Sequence, residues 1–191
     1  MKFDPEKHHR RSIRLKGYDY AQAGAYFVTI CTQNRECLFG KVVDGGMWLN
    51  DAGQMVAIAW QQLPQRFPQV AIDAFVVMPN HLHGIIIITK LSDVGAGLVP
   101  APLDEAKAST GLGNIVGAFK SITTHEYTIG VRQRNWLPFS GKLWQRNYYE
   151  NIIRDQRALN NIRQYIAENP LKWSSNAENI GKSLNKIYPP G

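Results

Sequence analysis

Apolar and polar positions along this chain follow two periods in turn, and the switches between them outline most of its elements. Ala25-Tyr26-Phe27-Val28-Thr29-Ile30-Cys31-Thr32 is a continuous β-branched and aromatic run, which predicts a buried strand. Cys37 to Val43 and Met47-Trp48-Leu49 flank Asp44-Gly45-Gly46, the mark of a hairpin, expected at the periphery. Asn50 or Asp51 stands at a cap position ahead of Met55, Val56, Ile58, Ala59, Trp60 and Leu63, so a first helix is expected there, ending near Pro64 and Pro68. Val70 to Met78 and His81 to Thr89 read as two further strands joined by a tight Pro79-Asn80 turn. Leu112, Ile115, Val116, Phe119 and Ile122 recur at helical spacing, which predicts a second helix from 112 to about 126. Leu143-Trp144-Gln145 reads as a short fourth core strand. Glu150 to Glu168 reads as a last helix with Ile152, Leu159, Ile162 and Ile166 in one stripe, stopped by Asn169-Pro170. Tyr165 falls roughly 100° from the middle of that stripe, at its edge.

The core order of strand, helix, strand, strand, helix, strand and helix predicts an α+β fold. It is that of a ferredoxin-like sandwich, an antiparallel sheet with helices on one face plus an additional C-terminal helix. Residues 1–23 carry Lys2, Lys7, Arg10, Arg11, Arg14 and Lys16 with almost no apolar periodicity and read as a basic arm. The domain then runs over 24–173, with 91–110 as a flexible insertion rich in small residues and proline, and 174–191 as a tail.

Length and composition narrow the function. A chain of 191 residues with 44% hydrophobic and 19% charged positions is one globular domain, not a disordered tail. Lys and Arg number 22 against 15 Asp and Glu, and the net charge of +7 favours a polyanionic partner, nucleic acid first. Cys31 and Cys37 alone build neither a disulfide framework nor a zinc site, and both are expected to be packing residues. The N-terminus has no apolar signal core, and no segment approaches the roughly 20 apolar residues that span a bilayer, so a cytoplasmic, nucleoid-associated protein with no membrane partner is the simplest reading.

His81-Leu82-His83 carries the sharpest chemistry. On a strand the two imidazoles point to one face, where a shared divalent cation satisfies both. Taken alone, such a pair is more often structural. Arg132, Arg134, Lys142 and Arg146 interleave with Trp136, Phe139 and Trp144, a mix of phosphate-binding charge and stacking surface suited to single-stranded nucleic acid. Lys120, near the apolar face of the second helix, is a candidate phosphate contact or a snorkelling lysine. His8, His9 and His125 read as surface residues.

Four stretches in order carry a family resemblance: Gly24-Ala25-Tyr26-Phe27-Val28-Thr29; Val77-Met78-Pro79-Asn80-His81-Leu82-His83-Gly84; Leu143-Trp144-Gln145-Arg146-Asn147-Tyr148-Tyr149-Glu150-Asn151-Ile152-Ile153-Arg154; and Tyr165-Ile166-Ala167-Glu168-Asn169-Pro170. The chain resembles the single-tyrosine HUH transposases of the insertion-sequence (IS200-like) type, most closely the REP-associated tyrosine transposases. The resemblance implies a DNA endonuclease and strand transferase that cleaves and rejoins single-stranded DNA at hairpin-forming repeats through a 5′-phosphotyrosine. It implies Mg²⁺ or Mn²⁺ on His81, His83 and Asn169, and Tyr165 on the catalytic last helix as nucleophile, with Tyr148 and Tyr149 as competitors. Asn169 also suits a plain helix cap before Pro170. DNA contacts are expected from Arg10, Arg11, Arg14, Lys16, Lys120, Arg132, Arg134, Lys142, Trp144 and Arg146. Relatives of this kind act as monomers or homodimers. The rival readings are a domesticated, non-catalytic single-stranded nucleic-acid binding protein, and a phosphodiesterase that uses water in place of tyrosine.

Overall fold

The computed structural model describes residues 19–89 and 111–173. The basic arm's Arg10, Arg11, Arg14 and Lys16, the 91–110 insertion and the tail lie outside the described residues.

Strands β1 (Gly24–Cys31), β4 (Val70–Met78), β5 (His81–Ile88) and β6 (Tyr149–Ile153) form one sheet in the order β4-β5-β1-β6. Every neighbouring pair is antiparallel. Strands β2 (Gly40–Val43) and β3 (Gly46–Leu49) form a separate hairpin. Helices α1 (Asp51–Gln61), α2 (Leu63–Arg66), α3 (Leu112–Gln133) and α4 (Gln156–Glu168) complete the described part. Leaving out the hairpin and the short α2, the order βαββαβ with this strand arrangement is that of the expected ferredoxin-like sandwich, followed by one further helix.

Strand alternation sorts the side chains into two layers. Tyr26, Val28 and Ile30 of β1, with Leu82, Ile86 and Ile88 of β5, meet Val56 and Trp60 of α1 and Ile115, Val116 and Phe119 of α3. On the opposite face Phe27, Ile85 and Ile153 meet Ile162 and Ile166 of α4. Burying each of these large apolar side chains is worth about 1.5–3 kcal/mol, so both faces of the sheet are held by packing. Gly84 follows from this. A Cβ there would sit 2.5 Å from Cζ2 of the fully buried Trp60, so the indole occupies the place of a side chain.

The last third of the chain corrects the expected elements. Leu143-Trp144-Gln145 is no core strand, since only Trp144 bridges to Thr32. The fourth strand is β6, taken from what reads as the start of the last helix, and Tyr149 opens that strand. Tyr149-Glu150-Asn151-Ile152-Ile153 pairs along β1 from Thr29 to Ala25 with one face toward α3 and the other toward α4. Covered on both sides, it lacks a clean alternation of polar and apolar residues. The helix starts only after Asp155, whose Oδ1 accepts from the Ala158 amide at 2.7 Å. Helix α3 also runs one turn and more beyond its expected end, to Gln133.

Candidate active site

Residues on β1, β5 and α4 converge at one end of the sheet, on the α4 face. His81 and His83, alternate residues of β5, stand edge to face with ring centroids 4.5 Å apart at 75°. Both are buried. Thr29 lies directly across from His83 on β1, and its Oγ1 is 2.7 Å from His83 Nδ1. Phe27 flanks the site, stacked on His83 at 5.4 Å and edge-on to Tyr165 at 6.0 Å.

Helix α4 brings the phenol. Tyr165 packs against the Phe27, Ile85 and Ile166 layer, and its hydroxyl lies 3.3 Å from His83 Nε2. Asn169 follows one turn later as the C-cap of α4, buried, and faces His81. The structure thus brings together His81, His83, Tyr165 and Asn169. Tyr149 shares this sheet face through its pairing with Thr29, whereas Tyr148 packs beside Lys120 on the α3 side, its ring 5.3 Å from the ammonium.

Hydrogen bonds fix which nitrogen His81 offers. The Asn80 Nδ2 donates to the Arg35 carbonyl at 3.1 Å, so its Oδ1 is the atom 2.8 Å from His81 Nδ1. A carbonyl oxygen only accepts, so Nδ1 carries the proton and Nε2 presents a lone pair. That buried Nε2 makes no hydrogen bond with any described residue. The same tautomer suits His83: Nδ1–H donates to Thr29 and the Nε2 lone pair accepts from Tyr165. Burial drives the His81 pKa down to about 3, helped by the Arg35 charge and partly offset by the Asn169 amide, which closes no hydrogen bond to Nε2. His83 is likewise held well below its usual value, by burial and by its neighbour His81. Both rings are neutral at physiological pH, the form that binds metals.

The donor set is two imidazole lone pairs and an amide oxygen. Among the described residues no group of three His, Cys, Asp or Glu is placed to hold a metal ion, so no carboxylate joins them. An orphaned lone pair in a buried polar corner fits a divalent cation that takes its remaining oxygen ligands from a substrate.

The basic residues divide. Arg132, Lys142 and Arg146 are exposed and line one groove with Lys120, Thr124 and His125. Arg134 lies over Trp136 at 5.8 Å, away from that groove. Two expectations are corrected. Trp144 is a core residue, 4% exposed, tilted against Phe39 and Phe119 with its Nε1 donating to Thr123 at 2.8 Å, and offers no stacking surface to DNA. Lys120 donates to the carbonyls of Gln145, Arg146 and Asn147 at 3.0, 3.3 and 3.1 Å, so its ammonium holds the 145–147 turn instead of a phosphate. Cys37 is exposed, where packing was expected, and Cys31 is buried.

No protein-family model matches the chain. It is 44% identical over 179 residues to an uncharacterised protein of Haemophilus influenzae, covering 90% of this chain and 94% of that one. A second Haemophilus influenzae protein, provisionally named a REP-associated tyrosine transposase, is 25% identical over 154 residues, 81% of this chain and 74% of that one. Among solved structures, a REP-associated tyrosine transposase bound to a REP hairpin superposes with a TM-score of 0.51 at 21% identity, covering 83% of this chain and 73% of that one. The chain thus shares the fold of a solved REP-associated tyrosine transposase and is similar in sequence to a protein provisionally given that name.

Within this fold, sequence reading missed the residues that hold the site. Thr29 and Asn80 stand in the resembling stretches, yet neither type signals a histidine partner: Thr29 needs the β1–β5 register, and Asn80, adjacent to His81, needs the Arg35 carbonyl that orients its amide. Phe27 and Trp173 are ordinary apolar residues in the sequence and site walls in the structure. The β2–β3 hairpin, expected at the periphery, reaches the site's edge: Leu38 and Phe39 ahead of it donate to the Pro79 carbonyl, and its tip Gly45 packs on Leu171. Among the described residues no helix is long and apolar enough to cross a membrane.

Proposed function

We propose that this protein is a DNA strand transferase that cleaves and rejoins single-stranded DNA at hairpin-forming repeats, with Tyr165 as nucleophile and Mg²⁺ or Mn²⁺ at His81, His83 and Asn169. The observation that carries this reading is the Tyr165 hydroxyl 3.3 Å from His83 Nε2, within one chain, beside a second imidazole whose Nε2 is buried and unpaired.

A divalent cation held there would supply positive charge at a phosphate and make the phenolic oxygen a better nucleophile. Asn80 holds His81 as its Nδ1–H tautomer, and Thr29 bonds His83 Nδ1, which leaves both Nε2 atoms for the site. Helix α4 fixes the Tyr165 oxygen on the same spot. In the reaction that oxygen forms the new bond to phosphorus, its proton passes to solvent, and the bond to the 3′ oxygen breaks to leave a 3′-hydroxyl. The phosphotyrosine conserves the diester energy, so attack by a 3′-hydroxyl rejoins a strand without ATP. DNA hairpins as partners are supported by the fold shared with a transposase solved on a REP hairpin, and the net charge of +7 suits them.

The test is incubation with hairpin-containing single strands and Mn²⁺, scored on a denaturing gel for protein-linked 5′ product. Adduct is expected with wild type and none with Tyr165→Phe, His81→Ala or added EDTA. An undiminished adduct in Tyr165→Phe would sink the assignment, and one moved to Tyr149→Phe sensitivity would reassign the nucleophile. DNA binding without any adduct would favour the non-catalytic binding protein, and free 5′-phosphate ends the water-using phosphodiesterase.

A further inference from the structure

His81 is held on more sides than a metal ligand on a strand requires. Its Nδ1–H is taken by Asn80 and its edge meets His83. Its face is stacked on the indole of Trp173, centroids 6.0 Å apart at 29°. Trp173 lies four residues after Asn169, at the end of the 3₁₀ turn Pro170–Lys172. Its amide donates to the Pro170 carbonyl, the Lys172 amide donates to the Asn169 carbonyl at 3.2 Å, and Lys172 pairs with Glu168. Leu171, between them, rests on Gly45 of the hairpin tip, a glycine at φ +73°. One turn therefore presents the Asn169 amide and the Trp173 ring to the same imidazole.

We propose that Trp173 is a positioning residue for His81, a stacking wall that fixes the ring plane and so the direction of the Nε2 lone pair. This rests on the reading of His81 as a metal ligand. A single bond at Nδ1 leaves an imidazole free to swing about that contact, and edge contact with His83 does not fix its plane. The indole face does. Its electron-rich surface also suits a ring that gains positive character on ligation. Residues that orient a ligand in this way typically change metal affinity 10- to 100-fold when removed.

The measurement is Mn²⁺ affinity of the full chain by titration calorimetry, without DNA. Trp173→Ala is expected to weaken binding about 10- to 100-fold, and Trp173→Phe, which keeps a ring face, to recover most of it. DNA affinity in EDTA and the circular dichroism spectrum should stay at wild-type values for both. If Trp173→Ala fails to fold, Trp173→Leu takes its place, filling the volume without a stacking face. Wild-type Mn²⁺ also quenches indole emission within reach of its unpaired electrons, so the Mn²⁺-sensitive component of the fluorescence should vanish in Trp173→Phe. Equal Mn²⁺ affinity in wild type and Trp173→Ala, or a Phe variant as weak as the Ala variant, would overturn the positioning role while leaving the metal site intact. Wild-type protein that binds no Mn²⁺ would instead overturn the metal reading itself, and this role with it.

Discussion

Which nitrogen a buried histidine leaves free is set by what holds the other, and here two neutral side chains, Thr29 and Asn80, do that work. Thr29 Oγ1 meets His83 Nδ1 in a fully buried hydrogen bond of 2.7 Å, between residues directly opposite on β1 and β5. Replacing Thr29 by the isosteric Val leaves a buried imidazole nitrogen unpaired, at a cost of about 1–3 kcal/mol in stability. It also frees the ring to rotate or switch tautomer, so Mn²⁺ affinity and adduct yield should fall about 10- to 100-fold. Denaturant unfolding and calorimetry check the two parts, and a Thr29→Val protein with wild-type metal affinity would remove Thr29 from the site. At this scale the chemical pair His81 and His83 is legible in the sequence because strand period alone puts them on one face. Their partners are not, because Thr29 lies 54 positions away and only the register selects it. The same blindness sends Trp144 and Lys120 to the surface in a sequence reading: interleaved charge and aromatics look alike whether the rings face water or, as here, fold back on α3.

Tyr165 is only as well placed as the helix that carries it, and α4 is held to the sheet by apolar packing and by an ion pair. Ile162 and Ile166 supply the apolar contact. An irregularity in β4 between Ile72 and Phe75 turns Asp73 out toward Arg163 of α4, which grips it with Nε at 2.8 Å and Nη2 at 2.5 Å. That two-point bond holds the Asp73 carboxyl below its usual range. With the folded pKa lower than the unfolded one, the pair's contribution is complete above about pH 4 and is lost as pH falls through the folded value. Asp73→Asn should thus lower Tm slightly at pH 7, and the gap to wild type should close in acid. A gap that persists unchanged at pH 2 would assign the effect to something other than this charge. Sequence reading placed the stripe of α4 correctly from Leu159 onward and erred at its start. Ile152 and Leu159 are seven apart, a spacing that two helical turns reproduce, so a strand residue facing the α3 layer passed for the first residue of the stripe.

For the whole molecule, sequence order sufficed for the topology because βαββαβ has few un-knotted ways to close with both crossovers right-handed. The distribution of charge needed the fold. Arg132 at the end of α3, and Lys142 and Arg146 in the following loop, come from separate elements and meet in one groove because Lys120 pulls the 145–147 turn against α3. In the proposed function these exposed side chains would supply affinity, while the buried, neutral histidine pair would supply chemistry. Each phosphate contact that is lost should flatten the dependence of log K on log salt by about 1. Lys142→Ala with Arg146→Ala is therefore expected to weaken binding of hairpin DNA at 50 mM salt and to reduce the slope by about 2, with adduct yield at saturating DNA close to wild type. Fluorescence anisotropy over a salt series measures the slope. An unchanged slope would place the DNA backbone elsewhere on the surface, and a loss of adduct at saturation would mean that this groove also aligns the strand for Tyr165.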